Sequence, residues 1–151
     1  MSKFRANFKD KQTIRVLESV YKNALLSHNA TVCVLRCCRN NELYGELAKE
    51  QERYKNVAMR ARRELSKMGA AAYQAPICVR AMVSAGLAAK TASNHDASAL
   101  AEIMYKGTNN GVIDMQRTLN RARAADGRVR ESAEKLLDRE LFFCENLRRF
   151  L

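Results

Sequence analysis

Apolar residues recur at steps of three and four along four stretches of the chain, residues 11–38, 41–68, 96–123 and 128–151. The first seam reads Ile14, Leu17, Tyr21, Ala24, His28, Thr31, Leu35 and Cys38, with Val16, Val20 and Val34 widening it. The second reads Leu43, Leu47, Glu50, Tyr54, Val57, Ala61, Leu65 and Met68. Leu100, Ile103, Met104, Gly107, Gly111, Met115 and Leu119 mark the third stretch. Val129, Ala133, Leu136, Leu137, Leu141, Cys144, Leu147 and Leu151 mark the fourth. This spacing predicts helices packed at shallow angles, each with one broad buried face. No period-two alternation of strand type occurs.

Punctuation fits the same reading. Asp10 is placed to cap the first helix, with residues 1–9 as a basic tail carrying Phe4 and Phe8 and residues 10–151 as one helical domain. Asn40-Asn41 makes a turn too short for anything but an antiparallel hairpin. Gly69 ends the second helix through a left-handed backbone. Asp126-Gly127 turns the chain between the third and fourth. Between the hairpins, Pro76 opens a short helix over 77–91 rich in small residues, and Gly107 and Gly111 form a packing notch for it or a kink at a ligand site. The fold class is therefore all-α: an antiparallel four-helix bundle of two hairpins, with a short extra helix in the crossover. One long crossover between hairpins is the ferritin-like connectivity.

Residues 96–123, Asp-Ala-Ser-Ala-Leu-Ala-Glu-Ile-Met-Tyr-Lys-Gly-Thr-Asn-Asn-Gly-Val-Ile-Asp-Met-Gln-Arg-Thr-Leu-Asn-Arg-Ala-Arg, resemble a segment of small uncharacterised bacterial proteins of about this length. The whole-chain pattern is similar to ferritin-like domains of unknown function and, more distantly, to spore-coat-type bundles. The resemblance implies a fold and carries no activity and no functional residues.

Metal chemistry of the ferritin type needs Glu-x-x-His on two of the helices, which puts carboxylate and imidazole on one face. The chain has two histidines, and the residues three before them are Leu25 and Ala92. The expectation is a bundle without a metal centre and without cofactors. Glu46, Glu50, Glu102, Glu131 and Glu134 could build only a carboxylate site, and solvated helix faces account for them more simply. Cys33, Cys37, Cys38, Cys78 and Cys144 contain no CxxC pair, and five is an odd count. Cys33 and Cys37 share a face one turn apart and read as small buried hydrophobes. No serine or cysteine has an identifiable base, so the expectation is not an enzyme.

Two polar features remain. His28 and Glu50 both fall on seams, and the hairpin at residue 40 brings them within about a turn, which predicts a buried polar pair that fixes register or touches a ligand. A net charge of +11 favours acidic partners. Arg60, Arg62, Arg63, Lys67, Arg117, Arg121, Arg123, Arg128 and Arg130 are expected to meet at one pole of the bundle as an anion-binding surface. Bases at helix C-termini are ordinary, but Arg128 and Arg130 stand at a helix start, where the dipole disfavours them. The first nine residues hold no apolar run of signal-sequence type, and no stretch nears the roughly 20 apolar residues of a membrane span. The overall expectation is a cytoplasmic binding or assembly protein, homodimeric. Its alternatives are a nucleic-acid-associated protein using the cationic pole and a degenerate metal-binding bundle.

Overall fold

The computed structural model describes residues 7–70 and 96–151, which form four helices and no strand. They are α1 (Phe8–Leu35), α2 (Asn41–Lys67), α3 (Ala97–Arg121) and α4 (Gly127–Arg148). No helix among the described residues is long and apolar enough to cross a membrane. The expected short helix over 77–91 lies outside them.

Helix ends follow capping chemistry. α1 begins three residues before the expected start, because the Asn7 side chain accepts from the Asp10 amide at 2.8 Å, so Asn7 and not Asp10 is the cap. Asn40 caps α2 by accepting from the Leu43 amide at 2.9 Å. At the end of α2, Gly69 has φ +67°, and the amides of Gly69 and Ala70 reach back to Ser66 and Leu65 at 3.0 Å each. That pairing satisfies carbonyls the helix would leave open, and only a residue without Cβ adopts it freely.

The helices pack side by side around two apolar clusters. At one pole, the start of α1, the end of α2, the end of α3 and the start of α4 bury Val16, Leu17, Ala61, Leu65, Leu119 and Ala133 together. At the other, the end of α1, the start of α2, the start of α3 and the end of α4 bury Val34, Leu43, Leu47, Leu100, Phe143 and Leu147. Thus α1 and α4 run one way, and α2 and α3 the other. The chain leaves α2 at the first pole and begins α3 at the second. The turn between α3 and α4 is tied to α1 from both sides: the Ala124 amide donates to Gln12 Oε1 at 2.7 Å and the Asp126 amide to Thr13 Oγ1 at 2.8 Å.

Most seam positions are buried as the periodicity implies. Three differ. Ala58 is buried where Val57 is half-buried, Leu141 is exposed, and Glu140 takes the interior position beside it.

Candidate functional site

The middle of the bundle is polar. Between the two apolar clusters lie Glu50 and Tyr54 from α2, Thr108 from α3 and Glu140 from α4, each almost wholly buried, with Asn23 of α1 reaching in beside them. Helical spacing puts Glu50 and Tyr54 on one stripe. Glu140 continues the stripe of Ala133, Leu136, Leu137, Cys144 and Leu147, so the same periodicity that buries those residues buries a carboxylate.

Glu50 is held by two guanidinium groups. Arg53, one turn along α2, binds its Oε1, and Arg139 of α4 approaches the same oxygen at 3.3 Å. Burial still raises the Glu50 pKa, with Arg53 opposing. Among the described residues Glu140 has no cationic partner in contact. Asn23 Nδ2 donates to its Oε1 at 2.8 Å, while Oε2 has no well-directed hydrogen bond among the described residues. Burial pushes the Glu140 carboxyl up to about 7, against the bond from Asn23. The Tyr54 hydroxyl lies among Glu140, Thr108 and Ser27 without a well-directed hydrogen bond, and burial followed by the two carboxylates drives its pKa well upward. The buried Thr108 hydroxyl beside it likewise makes no well-directed hydrogen bond among the described residues. Three buried oxygens thus retain hydrogen-bonding capacity, each at a cost of about 1–3 kcal/mol if nothing meets it.

Gly111 makes this centre possible. A Cβ there would stand 2.3 Å from Asn23 Oδ1, so only glycine lets α3 cover the Asn23 side chain while it reaches Glu140. Gly107 has no such neighbour. Beside this contact a groove of about 980 Å³ runs between α1 and α3, and Asn23, Ser27 and Thr108 form its middle. Its size is within the range of small-molecule sites.

The residues singled out from sequence separate. Glu50 is buried, but its partners are Arg53 and Arg139. His28 is half-exposed and its Nδ1 faces Asn29 Oδ1 at 3.3 Å. The interior carboxylates do not fit a two-metal centre: one is engaged by two guanidiniums, the other by an amide, and no group of three or more metal-ligating side chains occurs among the described residues. Glu46 pairs with Arg149 at 3.4 Å, Glu102 with Lys106, Glu131 with Lys135 at 2.9 Å and Glu134 with Arg130 at 3.8 Å. Cys33 and Cys37 are half-buried and form no disulfide.

The basic segments do meet at the first pole, yet several of their charges are engaged. Arg130 Nη1 donates to the carbonyls of Leu119 at 2.9 Å and Ala122 at 2.8 Å, capping the end of α3 from the first turn of α4. This explains a cation at an unfavourable helix start: it serves the neighbouring helix's C-terminus. Arg123 donates to the Asn120 carbonyl at 3.2 Å, and Lys67 pairs with Glu64 at 2.9 Å. Arg60, Arg62, Arg63, Arg121 and Arg128 are exposed and make no ion pair among the described residues.

Sequence reasoning missed Glu140, Asn23 and Thr108. Glu140 was detectable by strict spacing, since it is four after Leu136 and four before Cys144. No protein-family model, curated protein or solved structure matches this chain.

Proposed function

We propose that the protein is a non-catalytic binding or assembly protein on a ferritin-like bundle, with the groove between α1 and α3 as its ligand site. The ferritin-like assignment is supported by the single connection that joins opposite poles between α2 and α3. A polar centre built from Glu50, Arg53, Arg139 and the Asn23–Glu140 pair then occupies the place that carboxylate and imidazole ligands take in metal-bearing members of that architecture. The observation that carries the binding reading is the groove of about 980 Å³ between α1 and α3, with Asn23, Ser27 and Thr108 among its lining residues. Catalysis by the buried thiol is disfavoured, because burial and then Glu140 push Cys144 up to about 11, away from the nucleophilic thiolate.

The test is a thermal-shift panel of nucleotides, amino acids, polyamines and lipids on the wild type and on Ser27→Trp, which fills the groove. At least one class should stabilise the wild type and lose its effect in Ser27→Trp. A panel that moves neither protein, or both alike, removes the groove as a site. Homodimerisation is supported by adjacent exposed Leu141 and Phe142 on α4. Sedimentation of Leu141→Glu against wild type tests it, and identical masses count against a dimer through this face.

A nucleic-acid reading is favoured by one specific feature, the exposed Arg60, Arg62 and Arg63 without ion pairs at the pole they share with Arg121 and Arg128. Neutralising about six phosphates would give a log–log salt slope near −5. Absence of any gel shift at low salt eliminates it.

A further inference from the structure

The outer faces of α2 and α4 carry a regularity of their own. Steps of four and three along α2 select Lys49, Arg53, Asn56, Arg60, Arg63 and Lys67, all exposed. They form one straight edge of the helix, about 27 Å long at about 1.5 Å per residue. The same steps along α4 select Arg128, Lys135, Arg139 and Arg149, with Ser132, Phe142 and Asn146 between them. Neither row contains an acidic residue.

Two cross-links put the rows side by side. Arg139 reaches Glu50 of α2 at 3.3 Å, and Arg149 reaches Glu46 at 3.4 Å. Glu46 and Glu50 stand three residues before Lys49 and Arg53, so the α2 row borders the line where α4 meets α2. The two helices are antiparallel and the rows run from one pole to the other. Nearby acids offset only part of this charge. Glu64 pairs with Lys67 and Glu131 with Lys135, each at 2.9 Å, and Glu52 borders the α2 row on the side away from α4. Lys49, Arg60, Arg63 and Arg128 make no ion pair among the described residues.

We infer that this shared face of α2 and α4 binds the phosphate backbone of duplex nucleic acid without reading its sequence. The inference rests on the nucleic-acid reading above and moves the surface from the pole to the length of the bundle. Neighbouring helices stand roughly 10 Å apart, so two cation rows match the two phosphate strands that border a duplex groove of about 6–12 Å. The rows offer charge and little else, which positions a duplex and specifies no bases. A single strand fits less well. Its binding uses stacking on aromatic faces, and Phe142, the one aromatic side chain in the two rows, already has the Arg139 guanidinium over its ring at 5.3 Å. An anionic membrane also fits less well, because Phe142 alone among the row residues is apolar enough to enter it.

The experiment is fluorescence anisotropy of the full chain with a labelled, mixed-sequence DNA duplex of about 20 base pairs, over twice the length of the rows at about 3.4 Å per base pair. Lys49 is the discriminating position, since it lies at the end of its row farthest from the pole. Lys49→Glu, on an exposed side chain, should weaken the duplex at least fivefold and lower the log–log salt slope by about 1. Arg121→Glu, at the pole and on the groove side of α3, should change affinity less than twofold. Loss in Arg121→Glu with Lys49→Glu silent would overturn the face and leave the pole standing. Equal losses in both would mean diffuse attraction to net charge and would overturn the face as well. A single strand of the same length bound as tightly as the duplex would overturn the duplex assignment. So would capture by vesicles of phosphatidylserine in phosphatidylcholine without duplex binding, which would reassign the face to lipid. No binding of any nucleic acid removes both the face and the reading it rests on.

Discussion

Replacing Glu140 with Gln isolates the cost of a charge in the centre of the bundle. Glu140 is fully buried, and its carboxyl is pushed up to about 7 from an ordinary value of about 4.3. The sign follows from linkage. The native state keeps this proton to higher pH than the unfolded chain, so the native advantage is complete below about pH 4. It is lost progressively as pH rises to 7, and beyond that the charged form costs about 4 kcal/mol, at about 1.4 kcal/mol per tenfold displacement of the proton equilibrium. Gln is isosteric, still accepts from Asn23, and offers an amide donor towards the Tyr54 hydroxyl. Near pH 5 the variant should match the wild type within about 1 kcal/mol. Near pH 8 it should be more stable by about 1–3 kcal/mol, a rise in Tm of roughly 2–10 °C for a chain of this size. The assay is urea unfolding of both proteins from pH 5 to 8, read as their difference, so that other titrating groups cancel. A difference that stays flat with pH, or a variant less stable at pH 8, refutes the buried, cation-free carboxyl.

Three further outcomes are measurable by the same unfolding assay. Gly111→Ala should destabilise by about 1–3 kcal/mol despite alanine's helix preference, because its Cβ displaces Asn23 from Glu140, whereas Gly107→Ala, with open space around it, should stabilise by up to about 1 kcal/mol. Arg130→Ala should cost about 1–2 kcal/mol by uncovering the carbonyls of Leu119 and Ala122, and an unchanged midpoint would show that water caps α3 equally well. Glu50→Ala should cost about 3 kcal/mol, since it strips the shared partner from Arg53 and Arg139, while His28→Leu should change stability by less than about 1 kcal/mol. Equal losses at both positions would mean that His28 and Glu50 act together.

The helices were legible because their apolar period is long and capped by ordinary residues, as Asn40 and Gly69 illustrate. The centre was less so. A search for apolar spacing selects Leu141 over its neighbour, yet the helix turns Glu140 inward and leaves Leu141 exposed. Hairpin register led to the expectation of a His28–Glu50 pair, but Glu50 pairs with Arg53 and Arg139 instead, because register does not say which cations lie within reach. Arg139 comes from a helix far away in sequence, and its approach depends on how α4 is rotated. Gly111 was read as a notch for another helix; its tight neighbour is a side chain of α1, a detail that depends on interhelical distance. Arg130 looked misplaced when only its own helix was considered, and its bonds to α3 remove the anomaly.

A tight connection is ordinarily the first part of a helical hairpin to loosen. Here the backbone of residues 124 and 126 is clasped by Gln12 and Thr13, and Arg130 grips the carbonyls just ahead of it. Three helices therefore come undone there together or not at all. At the far end α3 begins without a side-chain cap from Asp96, and the Ser98 hydroxyl reaches across to the carbonyl of Leu151.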